Sequence, residues 1–192
     1  DNKALVFKTN NILSGKIEPA NNNTYWGQSA GLNVTTGQNN SLFGQSAGSG
    51  LTTGNGNLFA GHNAGQMTTE GVDNTFIGQG AGKNNSFGNS NVFVGETSGL
   101  NNLVDETTGV GAKALQSNQT GKYNTAVGFK SLFSSTSSSS NTAIGYLALK
   151  FCISDDNTAV GAEALSELIT GARNTALGNR SLANNSAGNS NT

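Results

Sequence analysis

The sequence predicts an all-β fold, a parallel β-roll or β-helix solenoid of ten coils, each about 17 residues long. Three observations predict it. A glycine recurs at Gly27, Gly44, Gly61, Gly78, Gly95, Gly111, Gly128, Gly145, Gly161 and Gly178, in steps of 17 or 16 residues. An asparagine stands four residues before nearly every one of them. The two residues ahead of each glycine are mostly apolar. A period of this length marks a solenoid, in which each repeat is one coil stacked on the last.

The chain divides into a lead-in strand region, 1–21, and a repeat array, 22–192. The asparagines are Asn23, Asn40, Asn57, Asn74, Asn91, Asn124, Asn141, Asn157 and Asn174, and only Thr107 departs. Stacked in register, they can form an amide ladder from coil to coil, and asparagine tolerates the turn that starts a strand. A second glycine often follows ten residues after the motif glycine, as at Gly37, Gly54, Gly71, Gly88, Gly121, Gly171 and Gly188. It is expected to supply the positive φ of a tight turn. Each coil is then expected to have two corners and two short strands or extended segments. Both 16-residue steps fall in coils lacking the second glycine, so that half of the coil is the adjustable one.

The residue just before the motif glycine forms one column, from Trp26, Phe43, Ala60, Ile77 and Val94 to Leu177. The residue before that forms another: Tyr25, Leu42, Phe59, Phe76 and Phe93, then Gly109 and four alanines. Neighbours on a strand point to opposite faces, so both faces are apolar. One fills the coil. The other, expected to be the Tyr–Leu–Phe column, would be left in water as a patch large for a monomer, and burial against another chain removes it. Four residues after the motif glycine the first five coils have Gly31, Gly48, Gly65, Gly82 and Gly99, and the last five have Leu115, Leu132, Leu149, Leu165 and Leu182. The change coincides with the loss of large residues from the Tyr–Leu–Phe column. Conserved total volume is what a filled contact demands, so these two columns are expected to touch, within a coil or across chains.

Composition narrows the function. Charged residues make up 11% of the chain and the net charge is −1. No Lys or Arg lies between Ile17 and Gly82, and the cations form no patch along the sequence, which points away from nucleic acid. One cysteine, Cys152, excludes an internal disulfide framework and a Cys-rich zinc site. No apolar run approaches membrane-spanning length. The last residues, Asn191 and Thr192, stand where an eleventh copy should begin, so the array is expected to continue and the chain to be a piece of something longer.

The motif N-T-A-(V/I/L)-G-x-x-(A/S)-L, as in "NTAVGFKSL" at Asn124 and "NTAIGYLAL" at Asn141, with "TTG" between copies, resembles the head repeats of trimeric autotransporter adhesins (YadA-like). It is still more similar to repeat arrays of phage tail-fibre proteins, whose coils its 17-residue period fits better. The resemblance covers about 22–192. It implies a parallel β-roll with three chains side by side, hence a homotrimer serving as a structural shaft segment of a tail fibre or similar particle-attached fibre, which carries or links a receptor-binding tip. The implied partners are other fibre or baseplate proteins and the implied location is the virion. The alternative is a bacterial surface adhesin whose coil surface itself binds host glycan or matrix. No catalytic, cofactor or metal residues carry over, and no enzyme activity is expected.

Sharper local readings give way to plain ones. "GQGAGK" at Gly78–Lys83 fails the phosphate-loop spacing, since Ile77 stands at the first glycine position and Asn84 follows the lysine. His62 occupies a site that is Gln28, Gln45 or Gln79 in other coils and reads as a surface residue. Cys152 reads as a buried packing thiol, and Asp155 and Asp156 as a solvated turn. The calcium-binding nonapeptide is absent. An ice-binding face would need an unbroken outward Thr file, and Ser41, Leu58 and Val92 interrupt it.

Overall fold

The computed structural model describes residues 3–192; Asp1 and Asn2 of the lead-in region lie outside the described residues. Among the described residues all regular structure is β. Strands β1 (Leu5–Thr9) and β2 (Ile12–Glu18) form an antiparallel hairpin, and β2 runs antiparallel to β3 (Asn23–Trp26). Then follow β4 (Ser41–Phe43), β5 (Leu58–Ala60), β6 (Thr75–Ile77), β7 (Val92–Val94), β8 (Thr108–Val110), β9 (Thr125–Val127), β10 (Thr142–Ile144), β11 (Thr158–Val160) and β12 (Thr175–Leu177). Each pairs in parallel with the next, in one sheet whose order is the chain order. This is a parallel β-solenoid of ten rungs joined by nine turns.

Each rung holds one strand, not two, and the rest is turns. The chain bends at the motif glycine, at the second and fourth residues after it, and at the residue before the asparagine. In the rung of Gly128, φ is 133° there, 54° at Lys130 and 46° at Leu132, and 58° at Ser140. The two expected corners are therefore four bends. Backbone hydrogen bonds tie rung to rung around most of the circuit: Thr24 N–H donates to Asn40 O, Gly31 N–H to Ala47 O and Thr35 N–H to Thr52 O.

The second glycine does not supply a positive φ. It is required because the next rung passes too close. A Cβ on Gly37 would stand 2.5 Å from the carbonyl oxygen of Gly54, and one on Gly71 2.8 Å from that of Gly88. The two shortened repeats absorb their deletion in this region, and the strand register survives: Phe93 pairs with Gly109 and Ala143 with Ala159.

The interior is filled from the strand and from the turn after it. Tyr25, Leu42, Phe59, Phe76 and Phe93 are fully buried within the single chain. This corrects the assignment of faces: the Tyr–Leu–Phe column fills the coil, and the column beginning with Trp26 faces outward. Phe59, Phe76 and Phe93 stack at 4.8 and 5.2 Å between centroids. The two compensating columns meet within each coil. A Cβ on Gly82 would stand 2.5 Å from the ring of Phe76. In the last five rungs leucines take that space, and Leu115, Leu132, Leu149 and Leu165 are fully buried.

The asparagines form the expected ladder, amide to amide in most rungs and through the backbone N–H alone at Asn141 and Asn157, and most also bond across their own coil. Oδ1 of Asn40 accepts the backbone N–H of Asn57 at 3.0 Å and its side-chain amide at 3.0 Å. Nδ2 of Asn57 also donates to Gly71 O across the coil at 2.7 Å. The buried amide thus satisfies backbone groups that would otherwise be stranded. The left-handed residue is the one before the asparagine, such as Asn39 or Asp73. At the lead-in end Glu18 accepts from Nδ2 of Asn23, at 3.3 Å, and pairs with Lys16.

Candidate functional site

The outward face of the strands is the surface that stands out. Alternation places the residues flanking each buried strand position on the outside. One file is Thr24, Ser41, Leu58, Thr75 and Val92, then five threonines from Thr108 to Thr175. The other is Trp26, Phe43, Ala60, Ile77, Val94, Val110, Val127, Ile144, Val160 and Leu177. Parallel pairing keeps both in register from β3 to β12. Trp26 is 54% exposed and Leu177 70%. The hairpin widens this stripe: Phe7 meets Trp26 edge to face at 5.2 Å, and Leu5 and Ile17 are exposed beside them. The result is a continuous apolar band along one side of a rod.

A second surface lies past the motif glycines. Phe129 and Tyr146 stack at 5.8 Å, with Lys130 over Phe129 and over Phe133 and Lys150 over Phe151. The lysines adjoin their rings in the sequence, and stacking of the rungs adds the contact between Phe129 and Tyr146. A shallow groove of about 550 Å³ runs between the exposed Leu32 and Met67, over Gly50, with Lys83 at its rim.

The residues singled out one by one do not converge. His62 is exposed just after Gly61, in the third rung, and Cys152 is buried in the eighth. Burial pushes the Cys152 thiol up in pKa despite hydrogen bonds with Ser154 O and the Asn157 amide. Asp155 accepts the backbone N–H of Ser139, and Asp156 holds a left-handed turn. Gly80 and Gly82 of "GQGAGK" are turn residues, the latter against Phe76. Among the described residues no three His, Cys, Asp or Glu side chains are grouped to hold a metal, and no helix is long and apolar enough to cross a membrane.

No family model matches the chain, and neither a curated protein nor a solved structure is significantly similar to it. The fold defines a class, the parallel β-solenoids, and its strand face carries one continuous apolar stripe along the rod.

Proposed function

We propose that this chain is the shaft segment of a trimeric fibre, in which three copies lie side by side and bury the outward strand face against one another. The fibre is a phage tail fibre or a similar particle-attached fibre, and the shaft carries or links a receptor-binding tip and joins other fibre or baseplate proteins. The observation that carries this reading is the unbroken apolar stripe on a rod that already fills its own interior. Covering the remaining exposure of one strand-face side chain contributes on the order of 1 kcal/mol. Ten from each of two facing chains exceed the roughly 4–15 kcal/mol cost of association. Nine steps of about 4.8 Å give a rod on the order of 40 Å long, and the stacked rungs leave free strand edges only at its ends.

Light scattering on the chain tests this. Three times the chain mass is expected for the wild type. Val127→Lys, on the outward file, should yield folded monomer with an unchanged far-ultraviolet circular dichroism spectrum. Ala126→Lys, one residue away and facing inward, should prevent folding. A monodisperse wild-type monomer would remove the fibre reading.

A further inference from the structure

Beyond the shaft reading, and independent of it, we infer that the face past the motif glycines in the sixth to eighth rungs binds an acidic oligosaccharide. The residues one past the glycine form a file, Glu96, Ala112, Phe129, Tyr146 and Ala162. The carbonyl of each accepts the backbone N–H of the residue two past the glycine in the next rung: Lys113, Lys130, Leu147, Glu163 and Arg180. Two aromatic rings therefore stand side by side with an alanine on either side. An alanine is too short to cover a ring, and Phe129 and Tyr146 remain 41% and 50% exposed although stacked on each other at 5.8 Å and 10°. Single exposed rings such as Phe87 and Tyr123 are ordinary, whereas two rings in contact with cations around them form a contiguous patch of the kind that marks an interaction site.

The charges beside the rings give the ligand its class. Lys113, Lys130 and Lys150 lie on this face, and among the described residues none pairs with a carboxylate. Lys130 is held between two rings, 5.2 Å from the centroid of Phe129 and 5.3 Å from that of Phe133, by cation–π attraction. The nearest like position below, Glu96, offsets one of these charges, and Glu163 pairs with Arg180 above. What remains is an aromatic platform of modest positive charge. The outer faces of the stacked pair, left open where the neighbours are Ala112 and Ala162, suit the C–H face of a pyranose, and ammonium groups suit carboxylates as charge-assisted donors. Single-stranded nucleic acid is the rival ligand for rings beside cations, and so few lysines leave it a weak one with a shallow salt dependence.

The experiment is calorimetric titration of the whole chain with oligogalacturonate, with maltohexaose as the neutral control and single-stranded DNA as the rival polyanion. Binding of oligogalacturonate is expected, at least tenfold tighter than either control and weaker in high salt. Phe129→Ala with Tyr146→Ala should weaken it at least tenfold, and Lys113→Gln with Lys130→Gln should weaken it and flatten its salt dependence. Alanine already occupies the same file at Ala112 and Ala162, so the aromatic variant should fold, with circular dichroism as the check. No binding, equal binding of DNA, or binding unchanged in both variants would overturn the assignment. So would an aromatic variant that falls to monomer by light scattering while still binding oligogalacturonate, since the patch would then belong to a second copy.

Discussion

The first five rungs and the last five have the same backbone and opposite interiors. In the first five the strand supplies the bulk, from Tyr25 to Phe93, and the turn supplies glycine. In the last five the strand supplies Gly109 or alanine, and the turn supplies leucine at φ between 46° and 52°. The glycines at the same position have φ between 54° and 57°. A leucine there accepts strain of roughly 1–2 kcal/mol, offset by the roughly 1.5–3 kcal/mol of burying its side chain. The coil fixes a shape and a volume, and either side of it can deliver the volume.

The change of interior falls where other features also change. Gly109 is the one position in the parallel strands without a Cβ, where Ser98 Oγ would stand 2.8 Å from it and the Phe93 ring 3.1 Å. The last ring of one half thus overhangs the first strand of the other. The preceding repeat is shortened, and the ladder breaks beside it at Thr107.

The sharpest way to break the comparison is to mix the two solutions. Gly82→Leu puts turn bulk where Phe76 already fills the coil, and should cost more than about 4 kcal/mol or abolish folding. Phe76→Ala alone should cost about 3–5 kcal/mol by cavity formation. Together they recreate the interior of the last five rungs. Urea denaturation should then show a coupling of at least about 2 kcal/mol in favour of the double variant. Additive losses would mean that the two columns do not share one space.

The ladder gives the next effect. Asn57→Ala removes the partner of the Asn74 backbone N–H and the donor to Gly71 O. Stranding two buried backbone groups should cost about 3 kcal/mol, read as a lower denaturation midpoint. The converse change tests the break between the halves. Thr107 accepts no bond from the rung above, although its own N–H donates to Asn91 Oδ1 at 2.9 Å. Thr107→Asn would offer Oδ1 to the N–H of Asn124 and join the two runs. A gain of about 1 kcal/mol is expected, and a loss would show that the threonine is required there by packing.

Much of this was legible in the sequence because it repeats. The period gave the rungs, and the asparagine column gave the ladder. The exchange of Gly82-type for Leu132-type residues gave the contact between the two columns, though not whether it lies within a coil or between chains. Which column faces inward was not legible. Phe76 and Ile77 are both apolar, and alternation says only that they face opposite ways. The size of Phe76 suggested a partner's interface, whereas the glycine at Gly82 makes room for that ring inside. The second glycine was misread because close approach and positive φ both exclude a side chain. Phe129, Lys130 and Phe133 lie close together in the sequence, but the stacking of Phe129 on Tyr146, 17 residues apart, was not read from it because neither aromatic belongs to a repeated column.

The smallest effect concerns the end of the ladder, where the hairpin meets the first rung. Burial disfavours the charged form of the Glu18 carboxylate. Hydrogen bonds from the Lys16, Asn23 and Asn21 side chains and the charge of Lys16 outweigh that and hold its pKa below the ordinary value of 4.5. A carboxylate whose pKa is lower folded than unfolded contributes stability that is fully present above its unfolded value and lost as pH falls through the folded value. The hairpin should therefore loosen selectively below about pH 4.5, with the rest of the solenoid intact. Glu18→Gln keeps an acceptor for Asn23 but removes the charge, so the variant should be slightly less stable at neutral pH and lose this one acid-dependent contribution. Hydrogen exchange of Lys16 and Ile17 amides across this range reads it directly. Equal acid sensitivity in both proteins would mean that the first asparagine needs no charged cap, and that the hairpin is held by Phe7 against Trp26 instead.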